Sequence, residues 1–154
     1  MSLYLVRHAK AGKRKEWTGE DKKRPLDKLG WLQAEALALR LLARGPTSLH
    51  ASPYLRCVQT LEPLGEKLGL EVVREERLTE GADHRACIEW METLADGAVL
   101  CSHGDVIPDV VMGLERRGLV ILGDPDWRKA AVWVIERDGR GFTSGRAWAP
   151  PTVR

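Results

Sequence analysis

The sequence is short of several things at once, and each shortage removes a class of protein. Three cysteines (Cys57, Cys87 and Cys101) stand in 154 residues, with no Cys-x-x-C pair among them. An odd, unclustered set argues against an exported disulfide scaffold and suits a reducing compartment, where all three read as small buried hydrophobes. Four histidines without metal-ligand spacing, and no His-Glu-x-x-His, give no reason to expect a metal or other cofactor. No apolar run approaches the ~18 residues of a membrane span, and the first residues lack a signal-peptide layout, so the cytoplasm is the expected location and no membrane the expected partner. Charge of one sign is also missing. Lys+Arg number 24 and Asp+Glu 22, leaving +2 rather than the basic excess of a nucleic-acid binder.

Familiar phosphate and hydrolase motifs are absent too. Cys-x5-Arg fails, because Pro63, Thr93 and Ile107 follow six residues after the three cysteines. Gly12-Lys13 lacks the rest of a nucleotide P-loop, and no Gly-x-Ser-x-Gly occurs. What is present is 44% apolar residues and six tryptophans, enough to exclude disorder. A chain of this size buries roughly 70% of its unfolded surface, which predicts a single domain over residues 1–154 with an unaided core.

The pattern along the chain predicts alternating strands and helices. Leu3–Val6 is a buried strand, Ser48–Ala51 a second, Glu71–Val73 a third and Ala98–Cys101 a fourth. Asp27 caps a helix whose stripe is Leu29, Leu32, Ala36, Leu39 and Leu41-Leu42. Ser52-Pro53 signals the start of another, running to Leu68 with Gly69 as its stop and Pro63 as a kink or division. Helices are also predicted over Arg85–Leu94 and after Ser102-His103-Gly104-Asp105. A hairpin closes the chain around Asp138-Gly139-Arg140-Gly141. The result is an α/β fold, a three-layer α/β/α sandwich with a mostly parallel central sheet.

In such sheets ligands bind beyond the carboxyl ends of the strands, where helix N-termini also point. The polar residues that follow strands are Arg7-His8, Ser52 through Arg56, Leu78 through Asp83, and Ser102-His103-Gly104. Two histidines and two arginines therefore converge from three strand ends. Arginine forks match phosphoryl oxygens, and a neutral imidazole is a competent nucleophile near pH 7, so the chemistry they suit is phosphoryl transfer. His50, within a strand, and His84, at a helix start, read as structural or solvated.

Leu5-Val6-Arg7-His8-Ala9, Arg24-Pro25-Leu26 with Gly30, Gln33 and Ala34, Ser52 through Thr60, and Ser102-His103-Gly104 together resemble the histidine phosphatase (phosphoglycerate-mutase-like) superfamily. The likeness spans residues 3 to about 110. It implies a phosphohistidine intermediate on His8, with Arg7 and Arg56 clamping the phosphoryl group and His103 and Gly104 completing the pocket. It also implies that cationic side chains stand in for a metal. Ala9 and Ala11 depart from the Gly and Thr of many relatives. The Arg-His-Ala-Lys-Ala form resembles instead the short bacterial phosphohistidine-phosphatase branch, or the phosphatase domain fused to some Nudix hydrolases; no Nudix box occurs here.

Glu80 sits where many members place the acid that protonates the leaving group; its other reading is a solvated loop carboxylate. Long mutases of the superfamily carry a lid for which this chain has no room, so hydrolysis of a phosphomonoester, phosphohistidine or phosphoanhydride is favoured over a phosphomutase. A noncatalytic binder of phospho-ligands is the alternative from another class. The expected ligand is a phosphorylated metabolite, nucleotide or phosphoprotein. Residues 10–24 carry seven basic side chains against three acids, and are expected to form a flexible basic rim with contacts through Lys10, Lys13 or Arg24. Trp17, within that segment, stacks on a substrate ring or covers the sheet.

Overall fold

The structure, a computed structural model, describes residues 1–153. Strands and helices alternate as far as the fifth strand, and two further strands close the chain: β1 (Ser2–Arg7), α1 (Lys28–Leu42), β2 (Ser48–Ala51), α2 (Leu55–Leu68), β3 (Val72–Arg74), α3 (His84–Thr93), β4 (Ala98–Ser102), α4 (Val106–Arg116), β5 (Val120–Leu122), β6 (Val132–Asp138) and β7 (Gly141–Trp148). The strands form one seven-stranded sheet ordered β3-β2-β4-β1-β6-β7-β5. Neighbours run parallel in β3-β2, β2-β4, β4-β1 and β7-β5, and antiparallel in β1-β6 and β6-β7. The sheet is mixed and mostly parallel.

The alternation of side chains along the central strands builds two cores. Tyr4 and Val6, Val99 and Cys101, and Val132 and Val134 face one layer, where they meet Leu37, Leu41, Leu61 and Leu64 of α1 and α2. Leu3 and Leu5, Ala98 and Leu100, and Trp133 and Ile135 face the other, against Ile88, Met91, Val110 and Leu114 of α3 and α4. Near-continuous apolar runs such as Leu3–Val6 are what a strand covered on both faces requires.

Three local expectations need correction, and one strand is an addition to them. Most of the stripe assigned to the core of α1 faces outward: Leu29, Leu32, Leu39 and Leu42 are 36–64% exposed, and of its leucines only Leu41 is buried, alongside Gly30, Ala34, Leu37 and Ala38. Small residues on the inner face let α1 lie close to its neighbours, and counting leucines picks the wrong side. Ser52 does not cap α2; Tyr54 occupies that position with no side-chain cap, and the Ser52 hydroxyl accepts from the Tyr54 amide at 3.3 Å while meeting His103 Nε2 at 2.8 Å. Pro63 does not divide α2, which runs unbroken from Leu55 to Leu68 and ends at left-handed Gly69. The strand β5, three residues at the sheet edge, has no sequence counterpart because so short a segment shows no alternation.

Register brings the strand ends level. Arg7 pairs with Ser102 and Ala51 with Cys101. His8, Ser52 and His103 therefore leave the sheet side by side, with the His8 amide donating to the Ser102 carbonyl at 3.0 Å and the Ser52 amide to that of Cys101 at 2.9 Å.

Candidate active site

His8 lies on the floor of a cavity of about 470 Å³ lined also by Arg7, Lys10, Arg24, Arg56, Glu80, His103, Gly104 and Lys129. Its Nδ1–H donates to the Ala9 carbonyl at 2.8 Å, a group that can only accept, so the lone pair is carried by Nε2. Burial pushes the His8 pKa down to about 3, with the charges of Arg56, His103 and Arg7 acting in the same direction against the Ala9 hydrogen bond. The ring is neutral wherever the protein is folded near neutrality. NMR titration of the His8 ring is accordingly expected to show no midpoint between pH 5 and 8. The sign for stability follows from linkage. Unfolded His8, near pKa 6.5, binds its proton before folded His8 does. Its contribution is complete above about pH 6.5 and is lost as pH falls toward 3.

Arg56 is 1% exposed in the first turn of α2. Its Nη1 donates to the Asp21 carbonyl at 3.0 Å, its Nη2 to Asp21 Oδ2 at 3.1 Å and, at 3.5 Å, to Glu80 Oε2. Arg7 donates from Nη1 to the Trp127 carbonyl at 2.7 Å. The Nε of each arginine is buried without a partner among the described residues. Buried guanidinium donors are rarely left unpaired, and two arginines lining one cavity with a free imidazole nitrogen suit one tetrahedral oxyanion.

His103 packs edge-on to His8, centroids 5.6 Å apart, and to Tyr54 at 4.7 Å. Its Nε2 meets the Ser52 hydroxyl at 2.8 Å and Cys57 Sγ at 3.6 Å. Gly104 follows with no room for a side chain, because a Cβ there would stand 2.7 Å from Arg7 Cζ. Gly104→Ala is expected to displace the guanidinium and lower kcat/KM by about 10²-fold, with little change in Tm because the residue is exposed. Parallel melting curves and kinetics check this.

The basic segment is built rather than loose. It holds two 3-10 turns, Arg14–Glu16 and Asp21–Lys23. Its ends are stitched by the Ala11–Leu26 bridge and by the Gly12 amide donating to Pro25. Arg24 is buried, with Nε on Asp21 Oδ1 at 2.9 Å and Nη1 on the Gly12 carbonyl, so it braces the wall instead of forming a flexible rim. Asp21 is the hub. Partial burial raises its pKa, but Arg24 and Arg56 pull it below the ordinary carboxylate value. Lys10 lies exposed at the cavity, 3.4 Å from Asp27 Oδ2. Glu80 reaches the same cavity, 3.4 Å from Arg14 Nη2. Trp17 is turned onto its own loop, donating to the Glu20 carbonyl at 2.8 Å, and does not cover the sheet.

The remaining residues of the quoted motifs serve as fasteners. Gln33 Oε1 accepts from the Lys10 amide at 2.9 Å, Gln59 Oε1 from the Leu26 amide at 2.9 Å, and Thr60 Oγ1 from the Ala9 amide at 3.0 Å. A family profile described as the histidine phosphatase superfamily (branch 1) matches residues 3–84. The chain belongs to that superfamily. An 8-oxo-(d)GTP phosphatase of Mycolicibacterium smegmatis (strain ATCC 700084 / mc(2)155) is 36% identical over 97% of this chain. The chain spans about half (48%) of that relative's length. The fold is shared with the protein histidine phosphatase SixA complexed with tungstate (TM-score 0.73, 23% identity, 97% of this chain and 95% of that one). It is shared also with a mycobacterial glucosyl-3-phosphoglycerate phosphatase (TM-score 0.65, 18% identity, 88% and 92% of the two chains).

Three contributors fall outside the strand-end residues: Lys129 lines the cavity, Asp21 holds Arg56 from behind, and the Trp127 carbonyl holds Arg7. Lys129 and Trp127 have a findable signal. They precede β6, and because β6 runs antiparallel to β1, its beginning lies at the end of β1. Looking only after strands misses them.

Proposed function

We propose that the chain is a phosphatase that hydrolyses a small phosphorylated substrate through a phosphohistidine on His8, without a metal ion. The observation that carries this reading is that two guanidinium groups, of Arg7 and Arg56, line one cavity with His8, whose Nε2 is free, and that each arginine keeps an unpartnered Nε–H. In the first step Nε2 attacks phosphorus, and the bond from phosphorus to the leaving group breaks. Arg7, Arg56 and His103 take the charge of the transferring oxygens, and no charge change on His8 has to precede attack. In the second step water oxygen adds to phosphorus, the phosphorus–Nε2 bond breaks, and orthophosphate leaves. The superfamily membership and the phosphatase relatives support the same reaction class.

The test is turnover of p-nitrophenyl phosphate and acetyl phosphate in the presence of EDTA. Vanadate-sensitive hydrolysis is expected. An inert protein that still binds phosphate would leave the noncatalytic binder.

Glu80 is assigned the proton for the leaving oxygen. Glu80→Gln is expected to slow an alkyl phosphate such as glycerol phosphate by about 10²-fold or more, and p-nitrophenyl phosphate, whose leaving group needs little help, far less. Equal slowing of the two would remove Glu80 from the chemistry.

A further inference from the structure

The phosphoryl site at His8 uses only part of the cavity. Arg7, Arg56 and His103 surround the nucleophile, yet Lys10, Lys13 and Lys129 line the same 470 Å³ space, which is much larger than one phosphoryl group. Among the described residues Lys13 and Lys129 have no carboxylate within ion-pair distance, whereas Arg14, Arg24 and Arg56 all share Asp21. Lys129 faces Arg7, Arg24 and Lys10, all of its own sign, with Asp27 as the opposing charge. Burial and those neighbours lower its pKa. Such an arrangement is unfavourable in the empty protein and is relieved by an anion that carries more charge than the clamp at His8 neutralises.

The position of Lys129 is also fixed relative to the nucleophile. Ala130 is held at φ 68°, the left-handed region that a side chain rarely enters. Its amide is shared between the carbonyls of Arg7 and His8, at 3.1 and 3.2 Å. Strain of this kind persists where the surroundings over-determine the backbone, and here it sets the lysine beside the residue that would carry the phosphoryl group.

We infer that Lys129, with Lys10 and Lys13, forms a second anion subsite, and that the substrate is a phosphoanhydride whose second phosphate occupies it. This rests on the reading of the His8 cavity as a phosphoryl site. In the reaction the His8 Nε2–phosphorus bond forms as the bridging oxygen–phosphorus bond breaks. The shortened phosphate departs from the lysines with that oxygen, and water then releases orthophosphate from His8. One water is consumed, and the leaving group is an anion stabilised by Lys129 instead of an alkoxide.

Two measurements separate the subsite from the hydrolytic reading. Equilibrium titration with methylenediphosphonate and with methylphosphonate, neither of which is hydrolysed, reads the subsite without turnover. The wild type is expected to bind the diphosphonate at least about tenfold more tightly, Lys129→Ala to lose that preference, and Lys129→Arg to restore it. In kinetics, Lys129→Ala is expected to lower the ratio of kcat/KM for inorganic pyrophosphate to that for p-nitrophenyl phosphate about tenfold. Equal affinity for the two phosphonates, or a preference that survives Lys129→Ala, overturns the subsite whatever the enzyme hydrolyses. A lysine-dependent preference in a protein that hydrolyses neither substrate keeps the subsite and overturns the phosphatase.

Discussion

His8→Ala should lose phosphatase turnover by about 10⁴-fold or more, the scale on which a covalent nucleophile is missed. The fold should survive, because the imidazole occupies the cavity floor rather than either hydrophobic core. Wild-type protein quenched during turnover should carry an acid-labile, alkali-stable phosphoryl group, and the variant should carry none. The neutral state of the ring is what makes so large a loss reasonable. A nucleophile buried to a pKa of about 3 keeps its lone pair without a partner to remove a proton. No nearby residue is poised to replace it, since His103 is turned through Nε2 to Ser52 and Cys57. Wild-type rates in His8→Ala would sink the mechanism outright.

The largest effect on stability is expected from a residue with no chemistry. A Cβ on Gly30 would sit 1.9 Å from the Lys10 carbonyl oxygen and 2.9 Å from its carbon. That carbonyl also accepts the Asp27 amide at 3.1 Å, while the Asp27 side chain caps α1 through the Gly30 amide at 2.8 Å. Gly30→Ala therefore forces backbone against backbone at the seam between helix and loop, where no side chain can swing away. Overpacking ordinarily costs ~1–3 kcal/mol, and this site belongs at the upper end. For a domain of this size that is a fall in Tm of roughly 6–12 °C, read by calorimetry. Because Lys10 through Gly12 line the cavity, KM should rise in the same variant. A melting point within a degree of wild type would show that the loop stands clear of α1.

Gly30 also illustrates what the sequence makes legible. It belongs to the same motifs as Gln33, Gln59 and Thr60, but its reason is tertiary: the helix and the loop touch only after both have folded. Strand ends were readable because buried strands are dense apolar runs and the polar residues after them stand out, as with Leu5-Val6 before Arg7-His8. The inner face of α1 is not readable, since a face on which Gly30, Ala34 and Ala38 share space with only Leu37 and Leu41 looks weaker than the four leucines it leaves outside. Ser52 departs from its local signal for a related reason. A serine before a proline satisfies a cap rule locally, and only the adjacency of β2 and β4 places His103 within its reach. Lys129 was invisible to a rule written for parallel strands, and an antiparallel neighbour turns that rule round.

The loop from Lys13 to Lys23 has a consequence of another kind. Its two ends are already joined, through the Ala11–Leu26 bridge and the Arg24 guanidinium on the Gly12 carbonyl. Residues inserted between its two 3-10 turns, around Thr18-Gly19, would enlarge a closed circuit without stretching the closure. Doubling such a loop costs only about 0.6 kcal/mol in entropy. The wall over the cavity is therefore the part of this protein whose length is free to drift across generations, widening or roofing the entrance while the floor keeps its geometry.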